Sequence, residues 1–449
     1  MNYQTIFLIC LFLILIQLLQ FFGQKKQQNL RRAKQSASKT PKHQIMRPKT
    51  EKDCPQCRAS LAADPAPVPC SHTPIPWSQV KSKRGRKKKI STQHYFCSNE
   101  TCTYYQITDE AIHALVGDGE HGTYEDIQDF LCQACKKKFT CRKHTVLYQL
   151  KTPSKFVSLS LKMTSLGMDP SAVEETLEIR ESTIRTWLAR SGAHSRKLHD
   201  RFFVALDLTH LQLDELWADV KQAGQDVWVW TVCDAKTKLI PVVQLGPRTL
   251  EMAYRVVHEL KSRLKEACHP VFSSDGLKHY FSALTAHFGE WVQGEGESKP
   301  SWMVLADFAY AQVVKTQRRF RLVSVETRLV WGLPTDYFSR LKNAGLSGRI
   351  NTSYVERANL TLRQCVSKLT RRTWSKGQFS TELGEHIFWW LAYYHFVRNH
   401  EGLRVRLSQP IKRKGRQQPI RYRKMTPAMA AGLTRHRWSV LELISYPLL

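Results

Sequence analysis

The spacing of apolar residues predicts two helices between residues 154 and 192. Asp169 followed by Pro170 is typical of a helix N-cap and its first helical residue. A turn is expected near Ile179–Arg180, and the apolar face of the helix that follows carries Ile184, Trp187 and Leu188. Two short helices joined by a tight turn predict a helix-turn-helix.

From Leu211 the pattern changes to three short runs rich in Val, Trp and Ile. Short polar links separate these runs, which favours antiparallel neighbours. An amphipathic stretch at 249–267 then predicts a helix, and 270–280 predicts a fourth strand that ends in a turn. The order strand, strand, strand, helix, strand is how a ribonuclease-H-like core begins. We therefore expect an α/β catalytic domain with a mixed sheet flanked by helices.

Two further patterns occupy the C-terminal part of the chain. Residues 379–400 are rich in aromatic residues and predict a helix that closes the catalytic domain. Residues 404–424 contain nine basic residues and no acidic one. Their Pro, Gly and Gln content argues against a regular element, and their charge suits tracking along DNA phosphates.

The N-terminal part begins with an apolar run at 6–22, nearly long enough to cross a bilayer. Basic residues follow this run and none precedes it, which favours a signal-anchor with the bulk of the chain in the cytoplasm. A mis-called start codon and a helix buried against another subunit are the alternatives. Residues 25–52 are polar and basic and predict a linker.

The charge balance narrows the class of partner. Lys and Arg number 68 against 38 Asp and Glu, a formal charge of +30. This imbalance favours a nucleic acid or an anionic membrane surface over a small neutral metabolite. The hydrophobic fraction of 42% excludes a polytopic membrane protein and a wholly disordered chain.

Two sets of side chains are candidates for DNA contacts. In the basic stretch 81–89, Arg84-Gly85-Arg86 suits a narrow minor groove, with a solvated loop held near DNA by charge alone as the alternative. The predicted recognition helix presents polar and basic residues that suit phosphates and base edges: Thr183, Arg185, Thr186 and Arg190. The alternative for this segment is an ordinary helical hairpin between domains.

Cysteines concentrate between residues 54 and 141, where their spacing predicts zinc rather than disulfides. One four-thiolate set consists of Cys97, Cys102, Cys132 and Cys135. A second set consists of Cys54, Cys57, Cys70 and His72. Cys57 pairing across to Cys97 and Cys102 is an alternative, and Cys141 and His144 are spare candidates. We expect one zinc ion, and the sequence leaves open whether a second ion binds.

Three carboxylates stand where an acidic group is structurally awkward or exposed by a turn. Asp214 lies in the first strand, Asp275 ends the fourth, and Glu356 lies early in a helix over 351–369. Converging from two strands and a helix, they suit two Mg²⁺ ions, with Mn²⁺ as a substitute. Such a pair of ions, about 4 Å apart, supports in-line phosphoryl transfer. Arg363 lies two helical turns after Glu356 on the same face and suits a phosphate contact.

The blocks around these carboxylates resemble DDE transposases of bacterial insertion sequences, and most closely the family called insertion sequence one. The resemblance rests on DELWADVK around Asp214, VFSSDGLKHY around Asp275 and NTSYVERANLTLRQ around Glu356. The stretches at 389–404 and 139–153 support it, and it covers about residues 50–449. The hydrophobic N-terminus departs from the family pattern.

The resemblance implies magnesium-dependent cleavage of element ends, followed by attack of the freed 3′-hydroxyl on target DNA. It also implies a zinc-ribbon-like N-terminal element, a homo-oligomer, and metal ligation by Asp214, Asp275 and Glu356 with Arg363 as the basic residue. The expected localisation is the cytoplasm or nucleoid, with a tether to the inner face of the membrane through 6–22. The expected N-terminal parts are an apolar segment (1–24), a basic linker (25–52) and a zinc-binding region (53–150). The expected later parts are a helix-turn-helix (151–200), the catalytic domain (205–400) and a basic tail (401–449).

Two alternative functions remain open from the sequence. One is a membrane-tethered, zinc-dependent DNA-binding protein whose catalytic domain is inactive. The other is a nuclease of the same fold that hydrolyses DNA without joining strands. Intact carboxylates at Asp214, Asp275 and Glu356 favour an enzyme over the first alternative, and the sequence does not separate the transposase from the nuclease.

Overall fold

The computed structural model describes most of the chain beyond the first 73 residues: 74–80, 90–221, 226–294, 299–319, 321–370, 377, 379–412 and 418–448. Several predictions lie outside these ranges, namely those for 1–24, 25–52, Arg84, Arg86, Cys54, Cys57, Cys70 and His72. Within the described ranges, no helix has the length and apolar character needed to cross a membrane.

The chain divides into two compact units. The first comprises Met1–Gly117 and Leu131–Lys137, and the second comprises Asp118–Phe130 and Lys138–Leu449. The short helix α1 (Trp77–Val80) belongs to the first unit. The strands β1 (Leu115–His121), β2 (Ile127–Cys132) and β3 (Lys138–Thr140) form a sheet in the order β1–β2–β3.

Three helices precede the main sheet: α2 (Ser154–Ser165), α3 (Pro170–Leu177) and α4 (Glu181–Phe202). Asp169 caps α3, because its side chain accepts a hydrogen bond from the Ser171 backbone, and Pro170 is the first helical residue, as predicted. The turn between α3 and α4 contains Glu178 in a left-handed conformation. The apolar face of α4 is buried as predicted, through Ile184, Trp187 and Leu188. The two predicted helices correspond to α3 and α4, but α2 precedes them and α4 is not short, because it continues to Phe202.

The main sheet has six strands: β4 (His210–Ala218), β5 (Val227–Asp234), β6 (Val242–Gly246), β7 (Val271–Asp275), β10 (Tyr310–Arg318) and β11 (Arg321–Trp331). Their order is β11–β10–β7–β4–β5–β6. β5 runs antiparallel to both of its neighbours, β4 and β6, and β7 runs parallel to both β4 and β10. The predicted mixed α/β fold, with a mixed sheet flanked by helices, is confirmed at this level.

Helices and a short hairpin connect these strands and cover the sheet. They are α5 (Leu250–Arg263), α6 (Lys278–His287), β8 (Gly289–Val292), β9 (Ser301–Val304), α7 (Pro334–Asn343) and α8 (Ser353–Cys365). The predicted helix over 249–267 is α5, whose N-cap is Thr249. The predicted strand over 270–280 is shorter, because Lys278 already begins α6.

The C-terminal region is ordered into regular elements. The aromatic segment forms α9 (Ser380–Ala392) and a π-helical turn over Tyr393–Val397, which are buried as expected for a helix that closes the domain. After it come the strands β12 (His400–Ile411) and β13 (Ile420–Met425), then α10 (Pro427–Ala430) and α11 (Val440–Ser445). The prediction that 404–424 lacks a regular element was wrong, since β12 and β13 pair antiparallel. An isolated two-stranded ribbon tolerates Pro410, because a strand without a second neighbour needs no backbone donor on its outer side.

One hydrophobic core joins α2 and α4 to the sheet and to the C-terminal helices. It includes Val157, Trp187, Leu213 and Trp230, and it continues through Trp389, Phe396 and the C-terminal residues Trp438 and Leu443. Trp389 of α9 donates its indole hydrogen to the Leu161 carbonyl at 3.0 Å. The segments 151–200 and 205–400, predicted as separate domains, thus share this core, and residues 426–448 pack against it as well.

The close contact between the backbones of α4 and α9 predicts that alanine substitution changes stability differently at two glycines. A Cβ added at Gly192 of α4 would lie 2.6 Å from the Glu385 carbonyl carbon, so Gly192→Ala should lower the free energy of unfolding by about 1–3 kcal/mol. Gly384→Ala in α9 is the matched control, because its Cβ would meet nothing closer than 3.7 Å. Alanine's higher helix propensity should make that change neutral or stabilising by up to about 1 kcal/mol. Urea unfolding measures both, and equal effects would contradict this packing.

Candidate metal centres

Four cysteine side chains meet in the first unit. The thiol sulfurs of Cys97, Cys102, Cys132 and Cys135 all lie within 4.8 Å of one another. Cys97 and Cys135 are 3.5 Å apart, and Cys102 and Cys132 are 3.8 Å apart. A tetrahedral zinc site with Zn–S bonds of about 2.3 Å has sulfur–sulfur distances of roughly 3.8 Å. The four residues of the predicted set are therefore arranged as a zinc ion requires.

Local backbone structure presents these thiols. A turn follows Cys132, in which Lys136 adopts a left-handed conformation and its backbone N–H donates to the Cys132 carbonyl at 2.8 Å. This turn brings Cys135 back beside Cys132. On the other side, the Tyr104 backbone N–H donates to the Cys102 sulfur at 3.4 Å.

Crowding of the four sulfurs also perturbs their acidity. The hydrogen bond between Cys97 and Cys132 raises the pKa of Cys97 and lowers the pKa of Cys132, whereas burial raises the pKa of Cys102 to about 12. A site that gathers four soft donors and favours a thiolate at one of them fits zinc. Cys141 is not a member of this cluster.

A second cluster, of carboxylates, lies in the middle of β4 and at the end of the neighbouring strand β7. Leu213 of β4 is the register partner of Ser274 of β7, so the next residues, Asp214 and Asp275, emerge side by side. Oxygens of Asp214, Glu215 and Asp275 lie within 4.8 Å of one another. Asp275 also accepts a hydrogen bond from the Leu277 backbone N–H at 3.0 Å, which fixes its orientation in the turn before α6. Glu215 is thus an unpredicted third member.

Glu215 lies deeper than its neighbours and has its own partners. Arg248 donates to its Oε1 through Nε at 2.7 Å, and the buried Tyr280 hydroxyl donates to its Oε2 at 2.9 Å. Burial and the nearby Asp275 raise the pKa of Glu215, and the Arg248 charge opposes that rise. Arg248 also lies 3.9 Å from Asp275. One arginine therefore compensates part of the negative charge of this cluster.

The charge on Asp214 is less well compensated. Burial raises the pKa of Asp214 to about 7, repulsion by Glu215 and Asp275 adds to the rise, and the hydrogen bond from Asn359 opposes it. Asn359 donates through Nδ2 to Asp214 at 2.9 Å, while its buried Oδ1 has no hydrogen-bond partner among the described residues. A hard divalent cation would relieve the carboxylate repulsion beside this unpaired oxygen. The oxygen donor set thus fits Mg²⁺ or Mn²⁺.

Glu356 lies on the other side of the same cavity. A cavity of about 700 Å³ is lined by Asp214, Asp275 and Glu356 together. Glu356 accepts hydrogen bonds from Lys315 at 2.6 Å and from the Thr352 hydroxyl at 2.5 Å. The structure therefore brings the three predicted carboxylates to one cavity, with Glu356 outside the tight cluster and paired with a lysine.

Gln212 fixes the helix that carries Glu356. Its fully buried side chain accepts hydrogen bonds from the Tyr354 and Val355 backbone N–H groups at 2.9 and 3.0 Å. It also donates to the Asn351 carbonyl at 2.8 Å. Because Gln212 and Asp214 point to the same face of β4, this contact sets the start of α8 beside Asp214. In the sequence, Gln212 is only a polar residue between two leucines. This pattern is compatible with a buried polar side chain, but it does not indicate which residues that side chain would bond.

Arg363 lies on α8 beyond Glu356. The two residues line a second cavity of about 470 Å³ together with Asp214 and Asn359. Arg363 donates to the Trp217 carbonyl at 3.3 Å. The predicted placement of Arg363 on the same helix face as Glu356 agrees with this lining.

The predicted DNA-contact residues of α4 lie on its outer face. Arg185 and Thr186 are exposed, and Thr183 and Arg190 are half-buried. Arg185 pairs with Glu181 one turn earlier, and Arg190 donates to the Tyr148 carbonyl at 2.7 Å. Contacts with DNA through these arginines would replace or extend interactions that they already make.

Comparison with known proteins adds no relative. No known protein family has a model that matches this chain, and no curated protein matches it.

The thiol cluster predicts the consequence of removing one ligand. Cys132→Ser should reduce the zinc content of the purified protein by one ion per chain, because a hydroxyl is a poor zinc ligand at neutral pH. Cys141→Ser is the matched control and should leave the zinc content unchanged. Elemental analysis by plasma emission measures both, and an unchanged content in the Cys132 variant would contradict a site at this cluster.

The Gln212 contact predicts a local and a global effect. Gln212→Leu removes the acceptor for two backbone N–H groups of α8 and should lower the free energy of unfolding by about 1–3 kcal/mol. Amide hydrogen exchange at Tyr354 and Val355 should accelerate at the same time. The exposed Gln317 serves as control, since Gln317→Leu should change stability by less than about 0.5 kcal/mol. Unchanged exchange at both amides would show that Gln212 does not anchor α8.

Proposed function

We propose that this protein is a DNA transposase that cleaves the ends of its element and joins the 3′-hydroxyl to target DNA. The observation that carries the proposal is the convergence of Asp214, Asp275 and Glu356 on one cavity. These residues lie 61 and 81 positions apart in the sequence and come from two parallel strands and a helix. The resemblance of the three surrounding blocks to DDE transposases supports this assignment.

The order of the sheet supports a ribonuclease-H-like catalytic domain. Strands β4, β5 and β6 form an antiparallel meander, α5 follows, and β7 returns parallel to β4 on its other side. This is the strand, strand, strand, helix, strand order on which the prediction was based. In it, the first and fourth strands are neighbours, so that Asp214 and Asp275 must meet.

Each residue of the site has a stated role in this proposal. Asp214, Asp275 and Glu356 would hold two divalent ions, which when bound supply activation of the attacking oxygen and stabilisation of the leaving oxygen. Asn359 orients Asp214 through its hydrogen bond. Glu215, held by Arg248 and Tyr280, keeps the floor of the site negative and its geometry fixed. Arg363 would hold a phosphate of the DNA backbone beside the carboxylates.

The remaining elements supply DNA binding in the same proposal. Zinc at the four thiols would stabilise the first unit by linking its two cysteine pairs. The outer face of α4 would contact one DNA end through Thr183, Arg185, Thr186 and Arg190. A homo-oligomer would hold two ends together, as the family resemblance implies.

A strand-transfer assay tests the proposed function. The purified protein is incubated with magnesium, a target plasmid and labelled duplexes from the DNA that flanks its gene on either side. We expect magnesium-dependent nicks at the element ends and joined products in the plasmid. Asp275→Asn should reduce both by at least ~100-fold, which corresponds to about 3 kcal/mol of transition-state stabilisation.

The control variant is Glu326→Gln, which removes an exposed carboxylate of β11 and should leave both activities unchanged. Nicks without joined products would favour a nuclease of the same fold over a transposase. Full activity in the Asp275 variant would contradict the assignment of this residue to the metal site. Duplex binding by a protein that neither nicks nor joins would identify an inactive DNA-binding protein.

A further inference from the structure

The paired strands β12 and β13, which we call the basic ribbon, are separate from the main sheet and are largely exposed. Val405 pairs with Arg423, Arg406 with Tyr422, and Ile411 with Ile420. The side chains of Val405, Ile411 and Tyr422 are 53%, 51% and 41% exposed. In the described part of the chain, the sheet that contains these strands has only these two members. The ribbon therefore presents both of its faces to its surroundings.

The charge of the ribbon is strongly positive. Its two strands contain five basic residues, namely Arg404, Arg406, Arg421, Arg423 and Lys424. Their one acidic residue, Glu401, is paired with Lys424 at 3.0 Å. A surface of this composition is complementary to a polyanion.

Both faces of the ribbon carry arginines. Cross-strand partners share a face and successive residues alternate, so Arg406 and Tyr422 lie on one face and Val405 and Arg423 on the other. On the first face, the Arg404 guanidinium lies over the Tyr422 ring, 4.8 Å from its centroid. This cation–π contact orients the Arg404 guanidinium on that face.

The base of the ribbon is fixed in the hydrophobic core. Two residues separate β12 from the buried turn Tyr393–Val397, and β13 is followed by the buried Thr426, whose side chain caps α10. The Trp438 backbone donates to the Phe396 carbonyl at 3.0 Å, and Arg423 donates to the Arg435 carbonyl at 3.0 Å. The ribbon is thus attached at its base to the hydrophobic core of the second unit.

We propose that the basic ribbon enters the major groove of double-stranded DNA. The major groove of B-form DNA is about 12 Å wide and accommodates a two-stranded β-ribbon. Arginines on both faces would then contact the sugar-phosphate backbones on either side of the groove. The inference rests on the proposed function for its ligand, which is the DNA that the site would cut, and adds a binding element that α4 does not supply.

The geometry distinguishes groove entry from attraction by charge alone. The major groove of A-form RNA is deep and narrow and does not admit such an element. A ribbon inside the groove should therefore contribute to binding of a DNA duplex and not of an RNA duplex of the same sequence. A ribbon that acts only through its charge should contribute equally to both.

Four substitutions test the inference in the full-length protein: R404A, R406A, R421A and R423A combined. Binding of a 30-base-pair duplex is measured without magnesium, so that the result does not depend on cleavage. The matched control removes four exposed basic residues outside the ribbon: R201A, K236A, R255A and K265A. Guanine N7 methylation protection, which reports occupancy of the major groove, is measured on the wild-type protein and on both variants.

We expect the ribbon variant to lose DNA affinity by at least ~100-fold at 0.1 M salt, and its salt slope to fall by up to about 3.6. Its loss for the RNA duplex should match the small loss of the control variant, and N7 protection should disappear only in the ribbon variant. The inference would be overturned if the ribbon variant lost equal affinity for DNA and RNA, or if its DNA affinity were unchanged. It would also be overturned if the wild-type protein left guanine N7 unprotected. Cleavage is measured in a separate assay, so a negative binding result for the ribbon variant would leave the proposed function intact. If binding depends on the ribbon but the protein does not cleave DNA, only the proposed function is rejected.

Discussion

The repulsion between the carboxylates of β4 and the carboxylate that ends β7 is the constraint on which the rest of the candidate site depends. Asp214, Glu215 and Asp275 have oxygens within 4.8 Å of one another, in surroundings that raise the pKa of Asp214 to about 7. Such an arrangement is unfavourable by itself, because Asp214 and Glu215 are largely removed from water and all three groups face like charges. The protein supplies Arg248 and Tyr280 to Glu215, and Asn359 to Asp214, but no cation to Asp214 within the described contacts. The remaining imbalance is the property that a divalent metal site requires.

The surrounding fold holds these groups in place through contacts between distant segments. The parallel pairing of β4 with β7 places Asp214 next to Asp275, and Gln212 links β4 to the start of α8. Glu356 therefore faces the two aspartates across a cavity, with Lys315 as its present partner. A metal ion on Glu356 would displace Lys315, which would then be free to meet a phosphate. Positive charge around the cavity and on the basic ribbon would complement the phosphates of the proposed DNA substrate, which the carboxylates alone would repel.

The three carboxylates that line the cavity were predictable from sequence, but the side chains that support them were not. Asp214 and Asp275 stand out by their places in a strand and at a turn, Glu356 by its place early in a helix, and the four clustered cysteines by their spacing. Glu215 does not stand out, because its role depends on Arg248 and Tyr280, which lie 33 and 65 positions away. The ribbon was missed for a different reason. Its strands bury neither face, so that they lack the alternation of apolar and polar residues by which half-buried strands are recognised.

The most direct test of the central claim is anomalous X-ray diffraction from crystals of the protein saturated with Mn²⁺. We expect two anomalous peaks about 4 Å apart, in contact with Asp214, Asp275 and Glu356. We also expect that the Glu356 carboxylate is no longer bonded to Lys315. Crystals with Mn²⁺ bound elsewhere, no peak beside Asp214 and the Lys315–Glu356 pair intact would contradict the claim.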